Sequence, residues 1–515
     1  MMLRLLRVLV MGIFGALLLG AAVFAAGDTL VIAENTDIRS LDPAKIHDHQ
    51  DGMMGWNIYQ NLLEYDPADY SIRPLLAQSW VLDTNGKSVT FDLRRGVTFH
   101  DGTSFNADAV AYSWDRFVAI GDPTAQHLVN ITGYEVIDEY TIEFHVDEPW
   151  AFLLDGFASE KTFRVVSPDY VKAHATSEDP WAEDWMVDHA CGTGPYVLET
   201  WVRGQYAEAN WYEEYWGGWP EDRVFFKKLI TRNIPEDGTR SLLMKTGEID
   251  FSPAIDPAQF YQFKDDPNVV TALQPGLGSM FVFFNNSKPP LDDPKLREAI
   301  SYAIDYAACA ATYVEGVPLA QGIFTSTSPG FNPNIPVSTQ NMDLAKRLFS
   351  EAGYKPGDVK LEVVCISSYQ VDASTIMKEN LADLGIDLTV TQMPWAIYQD
   401  LRLDVETMPQ MSWMYLLTTF ADPLDILYRT FVPNPSFKIG YYNELIGKLT
   451  DLAATVADPE VRQQIYWRMQ ELVYPDHPAL YMWEMAFPFV YRSDVKGVVL
   501  DTLSMSLKVQ KLWRE

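Results

Sequence analysis

The stretch LEVVCISSYQVDASTIMKENLADLGIDLTVTQM, residues 361–393, decides the fold class. Leu361–Ile366 is a β-branched apolar run typical of a buried strand, and Asp387–Met393 repeats that composition. Between them, Ala373–Leu384 has helical spacing and is followed by Gly385, which suits the left-handed position after a helix. This order predicts a βαβ unit, and therefore a largely parallel sheet covered by helices.

Helix signals continue on both sides of this unit. Asp343 can cap a helix that ends near Gly353, and Asp293-Pro294 opens an earlier helix. Asp458-Pro459 places a capping carboxylate and a first-turn proline before another helix, which Pro475 ends. The second half of the chain is therefore predicted to be α/β.

The first half of the chain is rich in strands with long connections. The predicted strands are Thr29–Glu34, Val89–Leu93, Thr141–Val146 and Val224–Ile230. The tail from Val490 returns to this composition. We expect a chain that leaves the first lobe, builds a second and comes back.

The expected joins are the apolar strand Met280–Phe284 and a second crossing near Phe487–Tyr491. The predicted domains are a first lobe over residues 27–280 with an inserted subdomain at about 75–195, a second lobe over 281–487, and a return over 488–515. Two crossings between two lobes form a hinge.

The amino terminus has the pattern of a secretory signal peptide. Arg4 and Arg7 precede the apolar run Val8–Leu19, and small residues end at Ala26. The run is short for a membrane span. No cysteine follows the small residues, so we expect cleavage after residue 26 and release into the periplasm without a lipid anchor.

The formal charge of −31 excludes binding to nucleic acid and to anionic membranes as expected functions. Cys191, Cys309 and Cys365 allow at most one internal bridge, so a disulfide scaffold is not expected. Which two of them pair, if any, stays open.

The segment FHDGTSFNADAV, Phe99–Val110, raises the question of a catalytic or metal-binding histidine. Asn106 is a good N-cap for a helix from Ala107, and Asp101-Gly102 form a turn, so His100 is interpreted as a turn residue and not a base. No nucleophile or second metal ligand stands at a defined spacing from it.

Two further segments resemble chemical sites only in part. His47-Asp48-His49 with Asp51 offers metal donors without the spacing of a known closed site, so no metal is expected. The GxG of Gly192–Gly194 leads into the strand-like Tyr196–Leu198, whereas a dinucleotide loop opens a helix. The chain contains no HExxH, GxSxG or GxxxxGK[ST] sequence, so neither a cofactor nor a catalytic residue is predicted. Paired carboxylates of the glycosidase type leave no such signature, which keeps a hydrolase open.

Aromatic residues are abundant, with 15 Trp and 26 Tyr. Most belong in cores, but some are expected to line a ligand cleft, where a flat ring gives contact area with few polar demands. Trp395, Tyr398 and Trp413 are the candidates, because they lie in or near the connections that leave the strands of the second half.

A set of ordered segments carries a family likeness. In chain order they are LAQSW, GVTFHDGTSFNADAVAYSWDRF, CGTGPYVLETW, TRSLLMKTGEIDF, FNNSKPPLDDPKLREAISYAID, DLAKRLFSEAGY and FADPLDIL. Together they resemble bacterial extracellular solute-binding proteins of the dipeptide, oligopeptide and nickel class, which feed ABC importers.

The resemblance implies a two-lobed type II periplasmic-binding-protein fold with two crossover strands and an extra subdomain in the first lobe. It also implies a ligand enclosed between hinged lobes, docking on the permease subunits of an ABC importer, no catalysis and a monomer. The HDG turn is then part of the first lobe's architecture.

The family's ligand anchors match this chain poorly. Dipeptide and oligopeptide members place an aspartate just upstream of the ADP-like segment to hold an α-ammonium group, and here that position is closest to Thr419, beside Phe420. Asp422 is nearby but also suits a helix cap, so it stays a candidate with both roles open. No arginine lies in Val363–Tyr369 to hold a carboxylate. A short zwitterionic peptide held by its two ends is therefore disfavoured.

Four functions remain open. The first is a peptide-binding component of an importer, holding a longer peptide through its backbone; the second is an oligosaccharide-binding component. A secreted hydrolase of the same polymer is the rival of another class, and a receptor that presents ligand to a sensor shares the same cleft.

Overall fold

The structure is a computed structural model that describes residues 27–46, 49–121, 128–253, 255–432, 438–501 and 503–515. The predicted signal peptide, His47 and Asp48 lie outside the described residues.

The strands share extended backbone and ladder pairing. In chain order they are β1 Thr29–Glu34, β2 Leu63–Tyr65, β3 Ile72–Pro74, β4 Ala77–Leu82, β5 Ser88–Leu93, β6 Ile131–Asp138, β7 Thr141–Val146, β8 Tyr196–Val202, β9 Tyr206–Trp211, β10 Val224–Phe225, β11 Lys228–Asn233, β12 Phe251–Ser252, β13 Val269–Phe284, β14 Lys360–Cys365, β15 Asp387–Gln392, β16 Met411–Leu416, β17 Ala479–Arg492, β18 Val495–Lys496, β19 Leu500–Asp501, β20 Ser506–Leu507 and β21 Trp513–Arg514.

The helices lie mainly against the sheets. In chain order they are α1 His49–Ile58, α2 Ala107–Ile120, α3 Asp155–Ala158, α4 Pro168–His174, α5 Glu183–Met186, α6 Asp237–Thr246, α7 Pro257–Phe260, α8 Pro294–Ala303, α9 Tyr306–Ala311, α10 Met342–Glu351, α11 Ser368–Ala382, α12 Trp395–Leu401, α13 Leu424–Thr430, α14 Glu444–Thr455 and α15 Pro459–Val473. Short 3₁₀ turns follow at Tyr261–Phe263, Tyr474–Asp476 and Val509–Lys511.

One large sheet runs through the molecule in the strand order β15-β14-β16-β13-β17-β12-β1-β11-β9-β8. Its β15, β14 and β16 are mutually parallel, as the βαβ pattern predicted, and β1, β11 and β12 are parallel on the other side. Two groups of parallel strands are therefore joined through the pair β13 and β17.

β13 and β17 pass through both groups, and together they connect two lobes. They pair antiparallel from Val269↔Arg492 to Phe283↔Ala479, with a register shift between Pro275 and Ser279. A register shift bends and twists a strand pair, so the sheet changes direction at this point.

A separate four-stranded sheet, β4-β5-β7-β6, forms the extra subdomain of the first lobe. α2 covers it, and Phe91, Trp114, Phe144 and Phe157 fill the space between them with rings in edge contacts. The subdomain therefore has an aromatic core of its own.

Local sequence explains several helix ends. Asn106, Asp293 and Asp458 each accept a backbone N–H in the first turn of the helix that follows, as predicted. Asp343 does not cap α10, because Asn341 accepts the N–H of Leu344 and Asp343 lies in the first turn instead. The predicted strand Val224–Ile230 is also divided, since β10 pairs with β21 in another sheet and β11 joins the large one.

Candidate ligand-binding cleft

The cleft lies where the strands of the second lobe end opposite the first lobe. β14 and β16 are parallel, so the segments after them, Ile366–Tyr369 and Leu417–Phe420, emerge at the same edge. Ser279 of β13, just beyond the register shift, pairs with Leu416 at that edge. Loops at the carboxyl edge of such a sheet are where open α/β folds place ligands.

Aromatic rings form part of this edge. Tyr313, Tyr369 and Trp483 pack together, with ring centroids 4.9 Å apart for the tyrosine pair and 5.8 Å apart for Tyr313 and Trp483. Tyr415, the last but one residue of β16, lies within electrostatic range of both tyrosines and keeps 39% of its surface exposed. Of these four rings, Tyr415 is the most exposed.

Neutral polar atoms accompany the rings. The hydroxyls of Ser279 and Thr418 and the indole Nε1 of Trp483 are buried without a hydrogen-bond partner in the protein. Buried polar groups are normally paired, and an unpaired one costs about 1–3 kcal/mol. Two hydroxyls and one N–H offer a ligand both donors and acceptors and no charge.

The two lobes touch beside the cleft through Tyr65. Its hydroxyl donates to Asp155 Oδ1 at 2.6 Å within the first lobe and accepts the backbone N–H of Ala421 in the second at 3.2 Å. Burial raises the pKa of Asp155 to about 6, with the nearby Asp422 carboxylate adding to the rise and Tyr65 opposing it. The hydroxyl thus connects a half-buried carboxyl of one lobe to the main chain of the other.

Two further contacts lie beside this one. Ser159 Oγ donates to the carbonyl of Thr419 at 2.8 Å, and the rings of Phe152 and Phe420 stack with centroids 5.9 Å apart and planes 5° apart. Each pair joins the first lobe to the second. We name Tyr65, Phe152 and Ser159 with Thr419–Ala421 the latch.

The structure corrects the expectation for Tyr398 and Trp413. Both side chains are 0% exposed; the Tyr398 hydroxyl donates to Ser412 and the Trp413 indole donates to Ser374 Oγ at 2.7 Å. Their rings belong to the core of the second lobe, and their polar atoms are already paired within the protein. They leave the set of proposed ligand contacts.

The other predicted site residues fall into two groups. Trp395 begins α12 directly after β15 and is 40% exposed, so it stays a proposed contact. Thr419 and Phe420 lie in the latch. Asp422 accepts from the Leu424 N–H and the Tyr466 hydroxyl and pairs with Arg462 at 3.3 Å, which gives its carboxylate a structural role.

The HDG turn contacts the GxG segment, and this contact gives both segments a structural role. His100 Nε2 lies 2.9 Å from the carbonyl of Gly194, and Nδ1 accepts the N–H of Gly192 at 3.3 Å. Burial lowers the pKa of His100 to about 4, so the ring is neutral near pH 7. Gly192–Gly194 leads into β8, so the segment is a turn between structural elements and not a cofactor loop.

The cysteines and the possible metal ligands are the remaining candidates for a chemical site. Cys191, Cys309 and Cys365 are free and buried. Within the described ranges, no group of three or more His, Cys, Asp or Glu side chains is arranged around a metal position, and no helix has the length and apolar character needed to cross a membrane. His47 and Asp48, where no metal was expected, lie outside those ranges, and His49 is described only as backbone.

Sequence reasoning missed the residues that form the edge and the latch. Tyr415 could have been predicted from the sequence, because it lies two residues beyond Trp413 on the same face of β16 and closer to the strand end. Tyr65, Phe152 and Ser159 could not be predicted, since their partners lie far along the chain: Thr419 is 260 residues from Ser159, and Ala421 is 356 residues from Tyr65. No local pattern marks a contact of that separation.

The fold and cleft define a class of protein, the two-lobed binding protein that encloses a solute between lobes joined by two strands. The family described as bacterial extracellular solute-binding proteins, family 5 Middle, matches residues 71–438. The chain belongs to this family, whose members bind substrates for ABC transporters and are not enzymes.

Individual relatives agree with this assignment. The chain is 26% identical to the probable D,D-dipeptide-binding periplasmic protein DdpA of Escherichia coli over 92% of each chain. It is 29% identical to the glutathione-binding protein GsiB of E. coli over 74% of this chain and 72% of that one. The ABC transporter-associated periplasmic binding protein DppA of Helicobacter pylori, solved with the peptide STSA, superposes with a TM-score of 0.79 at 25% identity, covering 95% and 98% of the two chains.

Proposed function

We propose that the protein captures a peptide between its lobes in the periplasm and delivers it to the permease subunits of an ABC importer. The observation that carries the peptide assignment is the edge of the second lobe, where aromatic rings stand beside unpartnered hydroxyls and an indole N–H. A peptide main chain offers alternating N–H and C=O groups that such a wall can pair.

The charge pattern selects the kind of peptide. Ile366–Tyr369 and Leu417–Ala421 contain no acidic or basic side chain, and Asp422 beside them is already paired with Arg462. Burying a peptide's terminal ammonium or carboxylate without a partner costs several kcal/mol. The ligand is therefore held through its main chain, and its charged ends lie outside this wall.

The relatives support a peptide over other solutes. DdpA and GsiB are named for binding a D,D-dipeptide and glutathione, and the H. pylori protein was solved with the peptide STSA. An oligosaccharide is the second candidate, because Tyr415 and Trp395 are exposed rings on which a sugar face can stack. In both cases the solute is released unchanged.

Delivery follows from closure. A solute that touches both lobes stabilises the closed form by its differential affinity, and the permease recognises that form. We propose a monomer of lobe I over residues 27–280, lobe II over 281–487 and a return over 488–515, exported by a signal peptide at residues 1–26.

Native mass spectrometry of the purified mature protein tests the assignment. We expect a retained mass that fits amino-acid increments at one per chain. Added peptides should be recovered intact after incubation. Hexose increments would replace peptide by oligosaccharide, and fragments in excess of one per chain would replace binding by hydrolysis.

A further inference from the structure

Two carboxyl groups, one from each lobe, come together at the latch. Asp155 begins α3 in the first lobe and accepts the Tyr65 hydroxyl, which itself accepts the N–H of Ala421 in the second lobe. Asp422 directly follows Ala421 and is 5% exposed. The contact made by Tyr65 therefore brings the carboxyl of one lobe into the neighbourhood of a buried carboxyl of the other.

The cation in this cluster is bound to the second of the two carboxyls. Arg462 of α15 pairs with Asp422 at 3.3 Å, and its guanidinium lies over the Phe152 ring of the first lobe, 5.4 Å from the centroid. The Tyr466 hydroxyl also donates to Asp422, at 2.5 Å. Asp422 is thus compensated within its own lobe, and Asp155 interacts with Arg462 only at longer range.

Closure places the Asp155 carboxyl in surroundings that disfavour its charge. The titratable groups described around it are Tyr65 from its own lobe and Asp422, Arg462 and Tyr466 from the other. Burial raises its pKa to about 6, Asp422 adds to the rise, and Tyr65 and Arg462 oppose it. Opening returns the carboxyl to water and separates it from Asp422, which brings its pKa nearer the ordinary value of about 3.9.

We propose that protonation of Asp155 strengthens the latch, so that mildly acidic surroundings favour the closed form of the protein. This regulation rests on the proposed function, because it acts on the closure that holds the solute. A neutral Asp155 keeps an oxygen that accepts the Tyr65 hydroxyl, and it no longer repels Asp422 or carries a charge out of water.

The size of the effect follows from linkage. The closed form binds more protons than the open form between the two pKa values, so the ratio of closed to open protein rises as the pH falls through about 6. With an open-form pKa of about 3.9, this ratio increases by up to about tenfold between about pH 7.5 and about pH 5. Above pH 7 the contribution is absent.

Hydrogen exchange of the solute-free mature protein at about pH 7.5 and about pH 5 tests the proposal. The Ala421 N–H donates across the lobes to Tyr65, so its protection, corrected for the intrinsic exchange rate, reports formation of the latch. We expect protection up to about tenfold higher at the lower pH. The radius of gyration from X-ray scattering should fall over the same change.

Matched variants assign the effect. Asp155→Asn keeps the shape and an acceptor for Tyr65, and should show at both pH values the high protection that the parent reaches at the lower one. Asp115→Asn removes a carboxylate that accepts the Tyr134 hydroxyl within the subdomain, and should follow the parent.

Equal protection of the parent at both pH values, or the same pH response in Asp155→Asn as in the parent, would overturn the proposal. Both measurements use solute-free protein. A retained hexose mass or a hydrolysed peptide would therefore change the proposed function and leave this result standing.

Discussion

At the residue scale, Trp413 and Trp483 allow an effect on ligand binding to be distinguished from an effect on stability. Trp413 Nε1 donates to Ser374, whereas Trp483 Nε1 has no partner, and the rings lie 5.4 Å apart in the same core. Both rings are fully buried, and only the second N–H is left without a partner in the protein. The pair therefore forms an internal comparison.

We predict that Trp483→Phe and Trp413→Phe lose similar packing but differ in binding. Trp483→Phe should weaken solute affinity by about fivefold to thirtyfold, the value of one hydrogen bond of about 1–2 kcal/mol. Trp413→Phe should keep the affinity but lose more stability than Trp483→Phe, because it also removes the hydrogen bond to Ser374. Calorimetry with the retained solute and urea unfolding measure the two effects, and equal affinity loss in both variants would refute the assignment of the Trp483 N–H.

His100 gives a pH dependence of stability. Its pKa is about 4 in the folded protein against 6.5 in the unfolded chain, because burial opposes the charged ring. The unfolded state binds more protons between these values, so the stability contributed by His100 is complete above pH 6.5 and is lost as the pH falls toward 4. The full shift corresponds to about 3 kcal/mol, and partial access to water makes about 1–2 kcal/mol the expected loss.

His100→Gln should therefore flatten the free energy of unfolding between pH 6.5 and 4 relative to the parent, while lowering it at pH 7. His189→Gln changes a surface histidine and should keep the parent's slope. Unfolding by urea at a series of pH values measures both. An unchanged slope in His100→Gln would show that another group carries the acid sensitivity.

At the scale of secondary-structure elements, the GxG segment packs closely against the main chain of α1. A Cβ on Gly192 would lie 2.2 Å from the carbonyl oxygen of Ile58, and that oxygen belongs to the main chain of α1. A Cβ on Gly194 would lie 2.6 Å from the same oxygen. The GxG segment needs glycine for packing and not for a phosphate.

We expect Gly192→Ala to lower the free energy of unfolding by more than about 2 kcal/mol, because backbone must move on one side or the other. Gly133→Ala places a Cβ with nothing within 4 Å and should change it by less than about 1 kcal/mol. The midpoint of urea unfolding distinguishes them. Comparable midpoints would mean that α1 shifts at little cost.

Much of the element pattern was predictable because it is local. Thr29–Glu34 and Thr141–Val146 are strands with the predicted bounds, and Asn106 caps α2 as predicted. The start of a helix was harder to predict than the bounds of these strands: α11 begins at Ser368, five residues before the predicted Ala373. Polar residues of this first turn hide the start, since helical periodicity appears only where the helix buries a face.

The candidate site was less predictable because it depends on contacts between distant segments. The sequence marked Trp413 as a ligand contact from its place near a strand end, but Trp413 is fully buried, whereas Tyr415, two residues closer to that end, is 39% exposed. The replacement of the family's aspartate by Thr419 was visible in the sequence. Its partner Ser159 was not.

The latch makes whole-molecule closure dependent on groups that touch no solute. Contacts between the lobes raise the fraction of closed protein, and apparent affinity rises with that fraction. Tyr65→Phe removes a hydroxyl that serves Asp155 and Ala421 together. We predict about fivefold to thirtyfold weaker solute binding, from about 1–2 kcal/mol of lost pairing.

Tyr134→Phe provides the control, because the Tyr134 hydroxyl also donates to a carboxylate, Asp115 at 2.9 Å, but within the subdomain. Calorimetry with the retained solute should show parental affinity for this variant. If Tyr65→Phe also binds as the parent does, the latch does not contribute to closure.

Small-angle X-ray scattering tests the central claim that two lobes close on a solute. The protein stripped of its retained solute by partial unfolding and refolding should have a larger radius of gyration than the same protein after the solute is returned, and Tyr65→Phe should enlarge the solute-free form further. Identical scattering curves with and without bound solute, at a concentration where calorimetry shows the site filled, would contradict the account.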